Sequence, residues 1–320
     1  MGGRQPARTP SAFVFAPSPL LTVTIEAVGE GAEIHLHAGG QGVWITRMIA
    51  ALGLPVSLCG TFGGESGSVI APLIEREGIA LRRIESGGAN GAYVHDRRSG
   101  ERRSVAEMPA GPLSRHEVDE LYGVALVGGL EADVCVLGGP AGPDVLPADT
   151  YRRLAADLAD NGRTVVADLS GEPLRAALDG GLALLKVSHE ELIDDGWANG
   201  ARASDLVAAM EALVEAGARN VLVSRAEEPA LALFEGRLLT VSTPLLHTVD
   251  RRGAGDSMTA GLVVGLARGR GLEDAARLGA AAGSLNVTRH GLATGSRDEI
   301  ERLASLIDVA PLELDGSPTP

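Results

Sequence analysis

An α/β fold built on a mainly parallel sheet, with helices on both faces, is predicted by three observations. Short apolar runs alternate along the chain with helical stripes, the order that repeated strand-helix units produce. Aromatic residues are only 3% of the 320 residues, while small and aliphatic residues dominate, as suits helices packed on a parallel sheet. Glycine-rich segments stand at the entries of several helices, and open sheets of this kind bind ligands at the carboxyl ends of their strands.

The apolar runs Ala12–Phe15, Val56–Cys59, Val134–Leu137, Thr164–Asp168, Ala183–Val187 and Val221–Ser224 are short and rich in branched side chains, so they read as buried strands. Leu238–Val241 adds a short extended segment, and Pro244 breaks the chain after it. Between the strands, the stripes Ile45/Met48/Ile49/Leu52, Val69/Ile70/Leu73/Ile74, Leu154/Leu158 and Leu206/Met210/Leu213/Val214 predict helices, the last capped by Ser204. Leu20–Ala27, Glu33–His37 and Tyr93–Ala106 are extended but mix polar with apolar residues, as strands with one wet face do. They predict a small sheet over the cleft. No linker, repeat or low-complexity tract sets this lid apart, so residues 11–310 read as one domain, between a disordered extension (1–10) and a tail (311–320).

A formal charge of −14 argues against nucleic acid or an anionic membrane as partner, and scarce aromatics argue against base stacking. The two cysteines, Cys59 and Cys135, each sit in an apolar run, which speaks against a disulfide framework or a cysteine metal site. Arg4 and Arg8 precede no long apolar segment, and no window reaches the length of a membrane span, so the expected location is the cytoplasm.

The stretch Asp250-Arg251-Arg252-Gly253-Ala254-Gly255-Asp256-Ser257 carries the most chemical information. Met258, Leu262 and Leu266 follow at steps of four, with Val263 and Ala267 beside them, which predicts an amphipathic helix. A helix N-terminus has unpartnered N–H groups and partial positive charge, so it attracts phosphate oxygens. Gly253, Ala254 and Gly255 have no bulk to keep an anion away. An aspartate in the same turn would repel that anion, unless its job is to take a proton from the group attacking phosphorus. The pattern therefore reads as phosphoryl transfer, although a capped helix after a glycine turn has the same short motif. Two further glycine-rich runs, Ala38-Gly39-Gly40-Gln41-Gly42 and Gly60 to Gly67, open earlier helices.

On these residues the chain resembles the ribokinase-like, or PfkB-type, carbohydrate kinases, across Ala38 to Gly78, Val134 to Leu192 and Val221 to Arg297. Within them it is most similar to the branch holding 1-phosphofructokinase and tagatose-6-phosphate kinase. Supporting segments are Ala167 to Glu172, Leu185-Lys186 before Glu190-Glu191, and Val221 to Ser224. The resemblance implies a three-layer α/β/α core with a small β-sheet lid, a sugar or sugar phosphate between core and lid, ATP along the C-terminal half, Mg²⁺, and a homodimer with lids packed together. It implies Asp256 as general base, with the amides of Gly253, Ala254 and Gly255 holding the transferring phosphoryl group. Lys186, Ser188, Ser224, Ala226 and Glu228 would lie by the nucleotide, with Ala280 and Gly283 near the adenine. Glu191, matching the acidic end of the family's Asn-x-x-Glu motif, would place magnesium through water. Ser18, Thr22, Gly39, Gly40, Gln41, Trp44 and Gly138 would face the acceptor.

The departures from that pattern cluster on the acceptor side. Ser18-Pro19-Leu20-Leu21-Thr22 stands where the branch has Asn-Pro-Ala-Leu-Asp, so a carboxylate is missing. Gln41 stands for a lysine that pairs with substrate phosphate, and it donates hydrogen bonds without net charge. Trp44 replaces an asparagine and is either a stacking face or a core aromatic. Arg97, Arg98, Arg102 and Arg103 on the lid either compensate for the lysine or form a solvated hairpin. On the nucleotide side Ser188 replaces asparagine, and Arg225, Ala226 and Pro229 stand in the usual glycine-rich loop. These losses keep a catalytically weak sugar or nucleotide sensor as an alternative. A dinucleotide-dependent oxidoreductase is disfavoured, because the glycine loop lies late and lacks G-x-G-x-x-G. His35 and His37 alternate on one strand face with no third metal ligand spaced nearby.

Overall fold

The computed structural model describes residues 9–140, 142, 144–289 and 293–313. In chain order its strands are β1 (Ala12–Phe15), β2 (Leu20–Val28), β3 (Gly31–Gly39), β4 (Val56–Gly63), β5 (Ala80–Ser86), β6 (Ala92–Asp96), β7 (Arg103–Met108), β8 (Val134–Gly138), β9 (Thr164–Asp168), β10 (Leu184–Ser188), β11 (Val221–Arg225), β12 (Glu228–Phe234), β13 (Arg237–Ser242) and β14 (Asp308–Pro311). The helices are α1 (Gln41–Ala51), α2 (Gly64–Arg76), α3 (Arg115–Leu130), α4 (Asp149–Asp160), α5 (Gly171–Gly180), α6 (His189–Asp194), α7 (Ala203–Glu215), α8 (Ala254–Ala267), α9 (Leu272–Val287) and α10 (Arg297–Ala304).

Ten strands form the middle layer in the order β14-β13-β12-β11-β10-β9-β8-β1-β4-β5. Neighbours from β5 to β11 are parallel, and β11 to β14 form an antiparallel edge. Alternation along each strand sorts the core into two layers. Val14, Val134 and Val136 face α1, α2, α8, α9 and α10, while Phe13, Phe15, Cys135 and Leu137 face α3 to α7. The result is a three-layer α/β/α architecture.

Several expectations need adjustment. Val56–Cys59 continues to Gly63, because β5 pairs with it through Gly60↔Arg83 and Gly63↔Ser86. Ser204 does not cap α7. The N-cap is Arg202, and the helix starts early enough for Asp205 to lie in the first turn, where its charge suits the helix dipole. The helix after Asp256 is not amphipathic. Ser257 and every residue from Thr259 to Gly265 are buried, because α9 and α1 pack on it as well as the sheet. Of the expected extension only Thr9 and Pro10 are among the described residues, and Pro311, expected in the tail, ends β14.

The lid is a four-stranded sheet ordered β3-β2-β6-β7, and the single expected segment Tyr93–Ala106 is a hairpin turning at Arg97 to Gly100. Register divides its faces sharply. Val23, Ile25, Ile34, Leu36 and Val94 share one face, and Thr22, Thr24, His35, His37, Tyr93 and His95 share the other. The apolar face is the exposed one, with Ile34 at 67% and Leu36 at 47%, whereas Thr24 and His95 are buried. Among the described residues no helix is long and apolar enough to cross a membrane.

Candidate active site

The glycine turn before α8 takes the expected shape. Gly253 is the N-cap with φ 71°, in the left-handed region that glycine adopts at least cost. No N-cap side chain closes the start of α8, and the Asp256 carboxylate accepts from its own backbone N–H. Two devices fix the turn from behind. Asn286 on α9, fully buried, donates to the Arg252 carbonyl at 2.6 Å and accepts from Ala293 N–H at 2.9 Å. The Val287 carbonyl accepts from the N–H groups of Val249 and Asp250.

Asp256 occupies the first turn and is half-buried. Burial, then the charge of Asp168, push its pKa up to about 7, while Lys186 pulls it down and Glu191 raises it. That value suits a general base near neutral pH. Lys186 arrives from β10 and Asp168 from the end of β9, with the ammonium 3.5 Å from both carboxylate oxygens. Burial works against the ammonium, but Asp168, Glu191 and Asp256 outweigh it and raise its pKa. The lysine also touches the glycine turn: a Cβ at position 255 would lie 2.6 Å from Nζ, so a larger residue there would displace the ammonium. Thr259, one turn along α8, donates to Asp168 at 2.5 Å. The sequence reading missed Asp168 and Thr259 as site members. An aspartate ending an otherwise apolar strand was a signal for the first.

Ser188 and Glu191 form a capping box at the start of α6. The Ser188 hydroxyl accepts from Glu191 N–H at 3.2 Å, and Glu191 Oε2 accepts from the Ser188 N–H and hydroxyl at 2.8 and 2.7 Å. Ser188 thus orients Glu191. Ser224 ends beside α6, its carbonyl 3.4 Å from His189 Nδ1. Ala226 turns the chain at φ 51°, and Glu228, exposed, starts β12 opposite Arg225. Ala280 is buried in the core, and Gly283 packs beneath the turn, where a Cβ would lie 2.9 Å from the Ala254 carbonyl. Gly283 therefore supports the turn from below.

Where the start of α1 meets the end of β8, Ser18, Leu20, Gly40, Gln41, Gly139 and Pro140 line a cavity of about 90 Å³. Gln41 Oε1 accepts from Gly139 N–H at 2.9 Å, tying α1 to the end of β8, and the Gly138 carbonyl accepts from Tyr151 at 2.9 Å. Thr22 backs Gly39, whose Cβ would meet its hydroxyl at 2.4 Å. Trp44 packs against the core, as a structural aromatic does. A larger cavity of about 260 Å³, between α2 and β5, is lined by none of the expected site residues.

The lid arginines separate into two kinds. Arg98 and Arg103 pair with Asp96 at the hairpin, and the Arg98 hydrogen bonds hold that carboxyl down at about 2. Arg102 instead turns onto the polar face, its guanidinium 5.2 Å from the Tyr93 ring centroid and Nη2 3.1 Å from His95 Nδ1. An arginine only donates, so Nδ1 accepts and His95 Nε2 donates to Thr24 at 3.1 Å. Burial, then Arg102 and neighbouring arginines including Arg252, press the His95 pKa down to about 4, so the ring is neutral. Buried Nε of Arg102 has no partner among the described residues, and no carboxylate there pairs with its guanidinium.

The same fold recurs in solved structures. Phosphofructokinase-2 of Escherichia coli superposes with a TM-score of 0.81 at 24% identity, covering 92% of this chain and 98% of that one. Ribokinase of Arabidopsis thaliana superposes at 0.72 with 20% identity, covering 93% and 99%. The fold is therefore ribokinase-like. Residues 19–299 match the pfkB family carbohydrate kinases, and the chain belongs to that family: it is a carbohydrate kinase. It is 28% identical over 289 residues to 1-phosphofructokinase of Bacillus subtilis, covering 90% of this chain and 93% of that protein. It is 30% identical over 297 residues to ATP-dependent 6-phosphofructokinase isozyme 2 of Mycobacterium tuberculosis, covering 89% and 86%. Sugar kinases of this family use ATP with a divalent metal.

Proposed function

We propose that the chain transfers the γ-phosphate of ATP to a hydroxyl of a sugar phosphate, with Asp256 as general base and the amides of Gly253, Ala254 and Gly255 as the anion hole. One observation carries this reading: α8 begins without a side-chain cap and holds in its first turn a carboxylate poised at about 7. Asp256 takes the proton of the acceptor hydroxyl, whose oxygen then attacks the γ-phosphorus as the bond to ADP breaks. The α8 amides and Lys186 stabilise charge on the phosphoryl oxygens, which is most of what phosphoryl transfer asks of a protein. Magnesium, when bound, neutralises phosphate charge. Glu191 fits such an ion: Ser188 fixes Oε2, Oε1 makes no hydrogen bond among the described residues, and one carboxylate plus waters and phosphates is the usual magnesium set.

Arg102 favours the phosphorylated acceptor over a free sugar, since it is a cation on the polar lid face that makes no ion pair with a carboxylate among the described residues and whose Nε has no partner there. The exposed apolar face of the lid supports a homodimer joined lid to lid, and a monomer in analytical ultracentrifugation would remove that part. Assays of ADP release with MgATP and a panel of sugars and sugar phosphates test the whole. Turnover confined to phosphorylated sugars is expected, and nucleotide binding without turnover on any acceptor would indicate a sensor instead.

A further inference from the structure

We infer that Thr259 is a positioning residue: its buried hydroxyl holds Asp168 so that the Lys186 ammonium stays available to the anion at the first turn of α8. This rests on the kinase reading and adds to it a residue outside the glycine turn. Thr259 lies three residues after Asp256 and four after Gly255, so it shares their side of α8. Its hydroxyl has one hydrogen and two acceptors in reach, Asp168 Oδ2 at 2.5 Å and the Gly255 carbonyl at 3.1 Å. The shorter contact to a charged oxygen takes it.

Asp168 is 1% exposed, and a dry carboxylate needs donors. The lysine stands 3.5 Å from both its oxygens, longer than the roughly 2.7–2.9 Å of a full charge-assisted bond. Thr259 therefore supplies the close donor, and Lys186 is left loosely tied on the side where it meets Gly255. Without the hydroxyl, Asp168 satisfies itself by drawing Lys186 in. The ammonium then retreats from the phosphoryl position and from Asp256. The charged groups that bear on Asp256 are Asp168 from β9, Lys186 from β10 and Glu191 from α6, and Lys186 is the single cation among them.

Thr259→Val keeps the shape and removes the hydroxyl, and Thr259→Ser restores it. The Asp256 carboxyl is followed by ¹³C NMR in protein labelled at aspartate Cγ, its resonance assigned by its loss in Asp256→Asn. In Thr259→Val the Asp256 titration is expected to move to higher pH than in the wild type, and in Thr259→Ser to return. Turnover with MgATP and fructose 6-phosphate or fructose 1-phosphate, whichever is phosphorylated, is expected to fall by about tenfold in Thr259→Val with the acceptor KM unchanged. A titration that stays in place or moves down, or a serine variant that behaves like valine, overturns the inference. Because the titration needs no substrate, absence of turnover in the wild type would count against the kinase reading alone.

Discussion

On the core side of the cleft each charged group leans on another, whereas on the lid side one arginine leans on neutral partners. Asp168, Lys186, Thr259 and Asp256 come from β9, β10 and α8 and are tied within buried surroundings. Arg102 is held by an aromatic ring and a neutral imidazole on a sheet whose opposite face lies open. The difference teaches where each kind of precision is needed. Phosphoryl transfer requires fixed charges around the reacting atoms, while recognition of a phosphorylated acceptor, as proposed for Arg102, would use a cation that makes no ion pair of its own.

The most severe way to break the comparison is at Asp256. Asp256→Asn is expected to cut kcat by about a hundredfold or more, measured as ADP release with saturating acceptor. The same change removes a carboxyl whose folded pKa, about 7, lies above its ordinary value of 3.8. Such a group favours the folded state fully below its unfolded pKa and loses that contribution as pH rises through the folded one. Thermal melts should therefore show the asparagine variant more stable than wild type above neutrality, with the gap closing toward pH 4.

A smaller effect sharpens the lid side. Arg102→Ala should raise KM for a phosphorylated acceptor by about tenfold, the cost of one charged hydrogen-bonding group, and leave the nucleotide KM unaltered. An equal loss for phosphorylated and free sugars would deny the arginine its role. The smallest effect lies in the nucleotide loop, where Ala226 holds φ 51°. Ala226→Gly should stabilise the fold by about 1 kcal/mol in urea melts by relieving that left-handed conformation. No gain would mean that the turn carries no strain.

The parallel strands were legible because residues buried on both faces form uninterrupted apolar runs. Thr164–Asp168 was read residue for residue. Other elements gave no such signal. β5 carries Arg82, Arg83 and Glu85 because it is an edge strand, and β12 carries Pro229, which reads as a turn. α9 buries mostly alanine and glycine, since those residues let α8 approach, and so shows no large apolar stripe. The glycine turn and Asp256 were readable because they are consecutive. The Asp168–Lys186–Thr259 network was not, because β9, β10 and α8 meet only through sheet order. Arg102 could not be told from Arg98 and Arg103 in sequence, since the hairpin and its irregular register after Val94 decide which one turns inward.

The most direct test of the account is the pH dependence of kcat with MgATP and a saturating phosphorylated sugar. Burial and the neighbouring Asp168 put the ionisation of Asp256 at about 7, so turnover should rise with pH through neutrality and level off above it. A kcat that stays constant from about pH 5 to about pH 8 would contradict a base of that kind at this position.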